Sequence, residues 1–330
     1  MAGDEQQAGE TEFGPAFTDV HYHFVPAEVR RLVEERAEGN PDARFFKILL
    51  DAFPDLATPS AERELTAESG RAVISLPTAV GPGVIGLGDT ADLVRICNDE
   101  MIAAVAAEDA YASTMITLPW DDPRAARAEV ERVGANPAVS AVIVHVGLEQ
   151  TRLVDEPDLE PVYRAIAGHG LPLFVHPVQE APPNGMAQWF LSNVLASPMA
   201  TSLAAARLML SGMLDRVPDL TLIIPQLGGT LPYLAQRLAD QSGKGNAEHD
   251  IPYYLRTRTY FDTCSFHAPA LDCAIATVGA DQLLLGSDFP FRGPVRRAVE
   301  GVESGLDLDG AELVLSANLA LLQDTSRAVR

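Results

Sequence analysis

Phe17-Thr18-Asp19-Val20-His21-Tyr22-His23 is a β-type run that ends in polar residues, and the fold can be read outward from it. In an extended chain, residues two apart project to the same side, so His21 and His23 leave the strand end together. Seven further short apolar runs follow, at 72–76, 113–118, 141–146, 171–175, 220–225, 259–262 and 282–285. Helical patterns separate them, over 90–108, 123–133, 159–167, 202–214, 231–239 and 270–278, and two more (295–303 and 311–322) follow the eighth run. A Pro in the first turn and a Gly just past the end mark helix termini, as at Pro123 and Gly168. Eight such units are the tally of an α/β fold of the TIM type, a (β/α)8 barrel. A doubly wound sheet gives a similar tally, so the polar residues must choose between them.

They choose the barrel. Leu173-Phe174-Val175-His176-Pro177 puts a third histidine where the fifth run leaves the core, and Leu285-Gly286-Ser287-Asp288 puts a carboxylate at the same point of the eighth. Barrels build active sites at the C-terminal ends of their strands, so these four residues are expected on one rim. A lone strand-end histidine is more often a satisfied structural residue, and a His-x-His pair alone is common. Three imidazoles and a carboxylate together are the donor set of a metal site. That set suits one Zn²⁺ ion, with Mn²⁺, Fe²⁺ or Co²⁺ also compatible.

Composition narrows the partners. The 330 residues carry 46 acidic and 24 basic side chains, a net charge of −22, which repels nucleic acid and anionic membranes. Hydrophobic residues at 47% and charged residues at 21% indicate a globular chain with a large core. No apolar run approaches the ~20 residues that span a bilayer. The acidic start, MAGDEQQAGETEFG, lacks the features of a secretory signal. Cys97, Cys264 and Cys273 are odd in number and form no CxxC, as expected of reduced thiols in the cytoplasm.

Residues 1–16 are expected to be disordered or loosely attached, and 17–330 to form a single domain. Two connections are long. Residues 24–70 contain helical patterns near 27–37 and 42–52, and residues 177–197 follow the fifth run. Both belong to the C-terminal mouth, and the first is read as a helical lid insertion.

The segments DVHYHF, FVHP and GSDFPF, in that order, resemble the amidohydrolase superfamily of metal-dependent barrels. Within it, the sequence is similar to the branch of aminocarboxymuconate-semialdehyde, methylsalicylate and hydroxybenzoate decarboxylases. Glu160-Pro161-Val162-Tyr163, the stretch 211–218, Gly228-Gly229-Thr230-Leu231-Pro232-Tyr233 and Tyr260-Phe261-Asp262-Thr263 support the likeness, which covers roughly 17–325. The resemblance implies that His21, His23, His176 and Asp288 ligate one divalent ion, and that the chain forms a homodimer or homotetramer. The fourth run ends without a lysine, so the carbamylated lysine of binuclear relatives is missing and one metal is expected.

One departure stands out. The branch usually has a His-x-Gly-Gly pattern after the sixth strand, whereas this chain reads Gln226-Leu227-Gly228-Gly229. Imidazole exchanges a proton near neutral pH; a carboxamide can only donate or accept hydrogen bonds. The leading expectation is therefore non-oxidative decarboxylation of a small aromatic or unsaturated carboxylic acid. Asp288 would be ligand and proton shuttle, Gln226 would orient a substrate oxygen, and His267, just after the seventh strand, would touch substrate. The alternatives are a metal-dependent hydrolase of an amide, lactone or carbon–carbon bond, and a non-catalytic metal-containing relative. His145 at the end of the fourth run is read as buried and structural, with a replacement acid–base role as the second reading. His169 and His249 are read as a helix-end contact and a solvated residue. Trp120 and Phe24 could be walls of a pocket or ordinary packing.

Overall fold

The computed structural model describes residues 17–36, 38, 41–57, 65, 70–77, 90–148, 152–178, 185–186 and 188–327; the expectation for residues 1–16 lies outside them. Eight strands appear: β1 (Phe17–His23), β2 (Gly70–Ser75), β3 (Tyr111–Thr117), β4 (Val139–Val146), β5 (Leu173–Pro177), β6 (Leu222–Ile224), β7 (Thr259–Asp262) and β8 (Leu283–Leu284). They pair in parallel in sequence order. The ring closes through backbone bonds from Val20 N–H to the Leu285 carbonyl, 2.8 Å, and from Asp288 N–H to the His21 carbonyl, 2.8 Å. This is the expected (β/α)8 barrel.

Two apolar layers hold it. Val20, Val73, Met115, Ile143, Phe174, Ile223 and Leu284 fill the interior, with Leu322 of the helix Asn318–Arg327 closing its base. A larger sleeve, including Tyr22, Ile116, Val142, Leu173 and Ile224, packs between the strands and the outer helices. Neighbouring residues of a regular strand face opposite sides. Here Val20 lies in the inner layer, yet the His21 ring also packs against inner-layer Phe174, 5.2 Å between centroids. A register shift between Asp19 and Tyr22 resolves this, since a bulge lets consecutive residues share a side.

The helices follow their local chemistry. Asp122 caps Pro123–Val133, accepting from the Arg124 and Ala125 amides, and Ala126, Val130 and Val133 form its buried side. The helix expected over 202–214 starts at Ser197 and breaks after Leu210, resuming as Met213–Arg216. Gly212 makes that break at φ 75°, where an added Cβ would lie 2.7 Å from the Asn246 carbonyl oxygen. A helix at Ile251–Thr257, capped by Asp250, was not expected. Between β1 and β2 stand Ala27–Arg36 and Pro41–Ala52, close to the expected helical insertion, with Val29, Val33 and Leu50 buried. Among the described residues no helix is long and apolar enough to cross a membrane.

Candidate active site

At the C-terminal rim, β1 contributes His21 and His23, β5 contributes His176, and Asp288 follows β8 with φ 57°. One donor atom from each of the four lies within 4.8 Å of every other. His176 Nε2 is 3.1 Å from His21 Nε2, and Asp288 Oδ1 is 3.5 Å from His21 Nε2 and 3.3 Å from His23 Nε2. The imidazoles are buried, whereas the Asp288 side chain is 15% exposed, so the cluster opens on its side.

Each imidazole is held from behind at Nδ1. His21 donates to Asp262 Oδ2 at 2.6 Å and His176 to the Pro177 carbonyl at 2.8 Å. His23 Nδ1 meets the Ser75 hydroxyl at 3.1 Å, and that hydroxyl can donate onward to the Tyr22 carbonyl, 3.4 Å. Such backing fixes the tautomer that turns the Nε2 lone pair inward, the usual support of a metal-ligating histidine. His23 Nε2 is buried and makes no hydrogen bond. Converging lone pairs beside a carboxylate repel one another unless a cation lies between them, so these residues fit a divalent ion.

Electrostatics agree with that geometry. Burial alone lowers the pKa of His21, but the charges of Asp262 and Asp288 outweigh it and raise it to about 9. Burial lowers His23, and it lowers His176 well below the ordinary value, with neighbouring His23 and His21 adding to the effect.

Two carboxylates essential to this frame escaped the sequence reading. Asp262, on β7, accepts from His21 and also from the backbone amides of Gln226, 2.7 Å, and Cys264, 3.0 Å. Asp19 accepts from the His21 amide at 2.9 Å and from the amide and hydroxyl of Ser287, at 3.1 and 2.5 Å, tying β1 to the residue before Asp288. Burial raises Asp19 to about 7 against the lowering effect of these bonds. The signal was available: a carboxylate inside an apolar run has no place in a core unless it is paired.

The remaining candidates separate. Gln226 lies in the turn Pro225–Gly228 at φ 59°, with its side-chain Oε1 buried and without a hydrogen-bond partner. His145 is the register neighbour of His176 on β4, with ring centroids 5.7 Å apart, and burial pushes its pKa down to about 3. His267 is exposed at the start of the helix Ala268–Val278 and is not one of the gathered donors. His169 Nε2 lies 3.3 Å from Glu131, and His249 stacks on Tyr253 at 3.8 Å. Trp120 donates to the Ile143 carbonyl at 3.3 Å, and Phe24 packs on Tyr111. Two phenylalanines border the cluster: Phe174 below it, 5.2 Å from the His21 ring, and Phe291, 5.4 Å from the His23 ring and 4.9 Å from Phe53.

The sequence profile of the amidohydrolase family matches residues 18–302, a span that includes all four rim donors. The chain belongs to the amidohydrolase family. This member is 26% identical over 282 residues to a 6-methylsalicylic acid decarboxylase of Penicillium expansum, covering 82% of this chain and 84% of the relative. Its fold superposes on a 5-carboxyvanillate decarboxylase from Sphingomonas paucimobilis with a TM-score of 0.80, at 23% identity over 93% of this chain and 98% of the other. A dihydroxybenzoic acid decarboxylase from Polaromonas, solved with bound manganese and the inhibitor 2-nitroresorcinol, gives 0.78 at 22% identity over 95% and 97%. These two superpositions extend the barrel architecture of the amidohydrolase family to nearly the whole chain.

Proposed function

We propose that this amidohydrolase-family chain is a metal-dependent non-oxidative decarboxylase of a small aromatic carboxylic acid with an oxygen substituent beside the carboxylate. The observation that carries the reading is the convergence of three backed imidazoles and Asp288 on one small volume open to the mouth. The curated and solved relatives described as decarboxylases of such acids support it. His21, His23, His176 and Asp288 would hold one divalent ion. Zinc suits the donor set, while the manganese bound in the Polaromonas relative makes manganese the first ion to test. When bound, such an ion supplies Lewis-acid charge stabilisation and a template for two substrate oxygens.

The protein's own groups do the rest. Asp288, the partly exposed donor, carries a proton to the ring carbon that bears the carboxylate. The electrons of the broken carbon–carboxylate bond then restore the aromatic ring, and carbon dioxide leaves. Gln226 Oε1 accepts a hydrogen bond from the substrate's hydroxyl, filling its buried vacancy in hydrogen bonding. Phe291 and Phe53 exclude water over the His23 side, with the insertion between β1 and β2 serving as a lid and 17–330 as one domain. His267, on the same rim, contacts the part of the substrate that projects to solvent. Self-association as a dimer or tetramer and a cytoplasmic setting, in keeping with three free cysteines, complete the reading.

The test is incubation of manganese- or zinc-loaded protein with 6-methylsalicylate, 2,6-dihydroxybenzoate and 5-carboxyvanillate in ¹⁸O-labelled water. Released carbon dioxide with no label in the aromatic product is the expected result. Solvent label built into the aromatic product, or no turnover on any acid by fully loaded protein, would overturn it.

A further inference from the structure

With 46 Asp and Glu in 330 residues, about one position in seven along this chain is acidic. Residues 263–271, after β7, and 289–299, after β8, contain none, and the second segment holds Arg292, Arg296 and Arg297. Arg296 is ion-paired with Glu300, Nε to Oε1 at 2.8 Å. Arg292 and Arg297 are exposed, and among the described residues neither makes an ion pair. Both guanidiniums gather over one ring instead, with Arg292 Cζ 5.9 Å and Arg297 Cζ 4.9 Å from the centroid of Phe266. Arg297 Nη1 also donates to the Arg292 carbonyl at 3.2 Å. Phe266 holds left-handed backbone, φ 55°, a costly conformation for a bulky residue. Fold stability does not account for the pair. Two like charges over one ring repel each other, and Arg297, in the first turn of the helix Val295–Gly305, opposes the helix dipole. A bound anion relieves both.

The pair also stands beside the rim donors. Arg292 N–H donates to the Asp288 carbonyl at 3.2 Å, and the adjacent Phe291 ring packs on His23 at 5.4 Å. Phe266 lies four residues beyond Asp262, the carboxylate behind His21. The charge of Arg292 is felt inside the site. Burial holds the Cys264 thiol well above its usual range, Asp288 and Asp262 add to that, and Arg292 works against them.

We infer that Arg292 and Arg297 form an anion-capture site that draws the carboxylate of an aromatic acid into the mouth beside Asp288. A chain of net charge −22 repels an anionic substrate at long range, so entry calls for local positive charge at the mouth. Guanidinium suits the task, because its planar fork meets both oxygens of a carboxylate and its weak hydration is readily shed. No bond is made or broken there. The inference rests on the aromatic-acid reading above, but it concerns arrival of the substrate and not its chemistry.

Stopped-flow mixing of the manganese-loaded full chain with salicylate, followed by salicylate fluorescence, tests it. The double variant Arg292→Gln/Arg297→Gln should associate about 10-fold more slowly than wild type at low salt, about 20 mM. Exposed charges are screened, so that ratio should fall towards one at about 500 mM sodium chloride. Arg292→Lys/Arg297→Lys keeps the charge and should stay within about threefold of wild type at low salt. Both side chains are exposed, so circular dichroism and thermal midpoint should not change in either variant. Equal rates for wild type and the Gln variant at low salt overturn the inference. So does a ratio that salt leaves unaltered, a Lys variant as slow as the Gln variant, or a wild type that binds no salicylate. Carbon dioxide release is measured on the same samples. Salt-dependent capture without release leaves the inference standing and removes the decarboxylase reading; release with salt-insensitive association does the reverse.

Discussion

Asp262 Oδ2 accepts the Nδ1 proton of His21 at 2.6 Å, with both side chains shut off from solvent. The same carboxylate also accepts two backbone amides, so all of its bonds need acceptor oxygens. An amide at this position offers one acceptor oxygen and an NH₂ group that faces another donor. Asp262→Asn should therefore lower affinity for manganese or zinc by about 10–100-fold, the usual cost of losing a group behind a ligand. Calorimetric titration of metal-free protein measures it. Wild-type affinity in the variant would remove Asp262 from the frame of the site.

Metal binding should expel a proton. In the metal-free protein His21 keeps its proton up to about pH 9, against an ordinary 6.5, because Asp262 and Asp288 together overcome burial. The stabilisation this gives the metal-free fold is fully present below pH 6.5 and is lost as pH rises through 9. A ligand nitrogen must be bare, so apparent metal affinity should rise with pH across this window and fall on acidification. At pH 7.5, binding heats measured in buffers of different ionisation enthalpy should report release of about one proton per ion. Heats independent of the buffer would contradict the assignment of His21 as a ligand.

The barrel wall has its own polar tie. Asn98, on the helix Thr90–Ala107, donates to the Thr117 carbonyl at 3.0 Å, accepts from the Thr117 amide at 3.0 Å and donates to Glu129 at 2.7 Å. Thr117 is the last residue of β3, so this amide satisfies a strand end that would otherwise be buried unpaired. Asn98→Ala should destabilise the fold by about 3 kcal/mol, from lost bonds and stranded partners. Urea unfolding measures it, and metal stoichiometry should stay at the wild-type value.

Much of this arrangement is readable from residue order because the barrel repeats one unit. Apolar runs such as 259–262 emerge as strands with the same bounds, and the strand-end rule brings His176 and Asp288 to β1 across more than 100 residues. What resists reading is contact made through bends. The shift between Asp19 and Tyr22 breaks the period of two, so strand alternation alone cannot put Val20 and His21 inside together. The roles of Asp19 and Asp262 depend on partners 268 and 241 residues away, Ser287 and His21. His267 follows β7 and stands exposed at a helix start, a place that the strand-end rule does not reveal.

Gln226 is where the proposed chemistry is most exposed to test. Its backbone is pinned by Asp262, while its Oε1 is buried without a partner, a cost that a substrate hydroxyl would remove. Gln226→Leu should lower kcat/KM by about 10–100-fold on ortho-hydroxy acids, with the metal content unaltered, since one hydrogen bond to a buried acceptor is lost. Gln226→His should do something different. The left-handed backbone at φ 59° tolerates histidine, and an imidazole there brings an ionisation near ~6.5 that a carboxamide cannot supply. The pH–rate profile of that variant should gain a limb absent from the wild type. If Gln226→Leu turned over every acid at the wild-type rate, the amide would be packing alone, and substrate orientation would have to come from other groups on the rim.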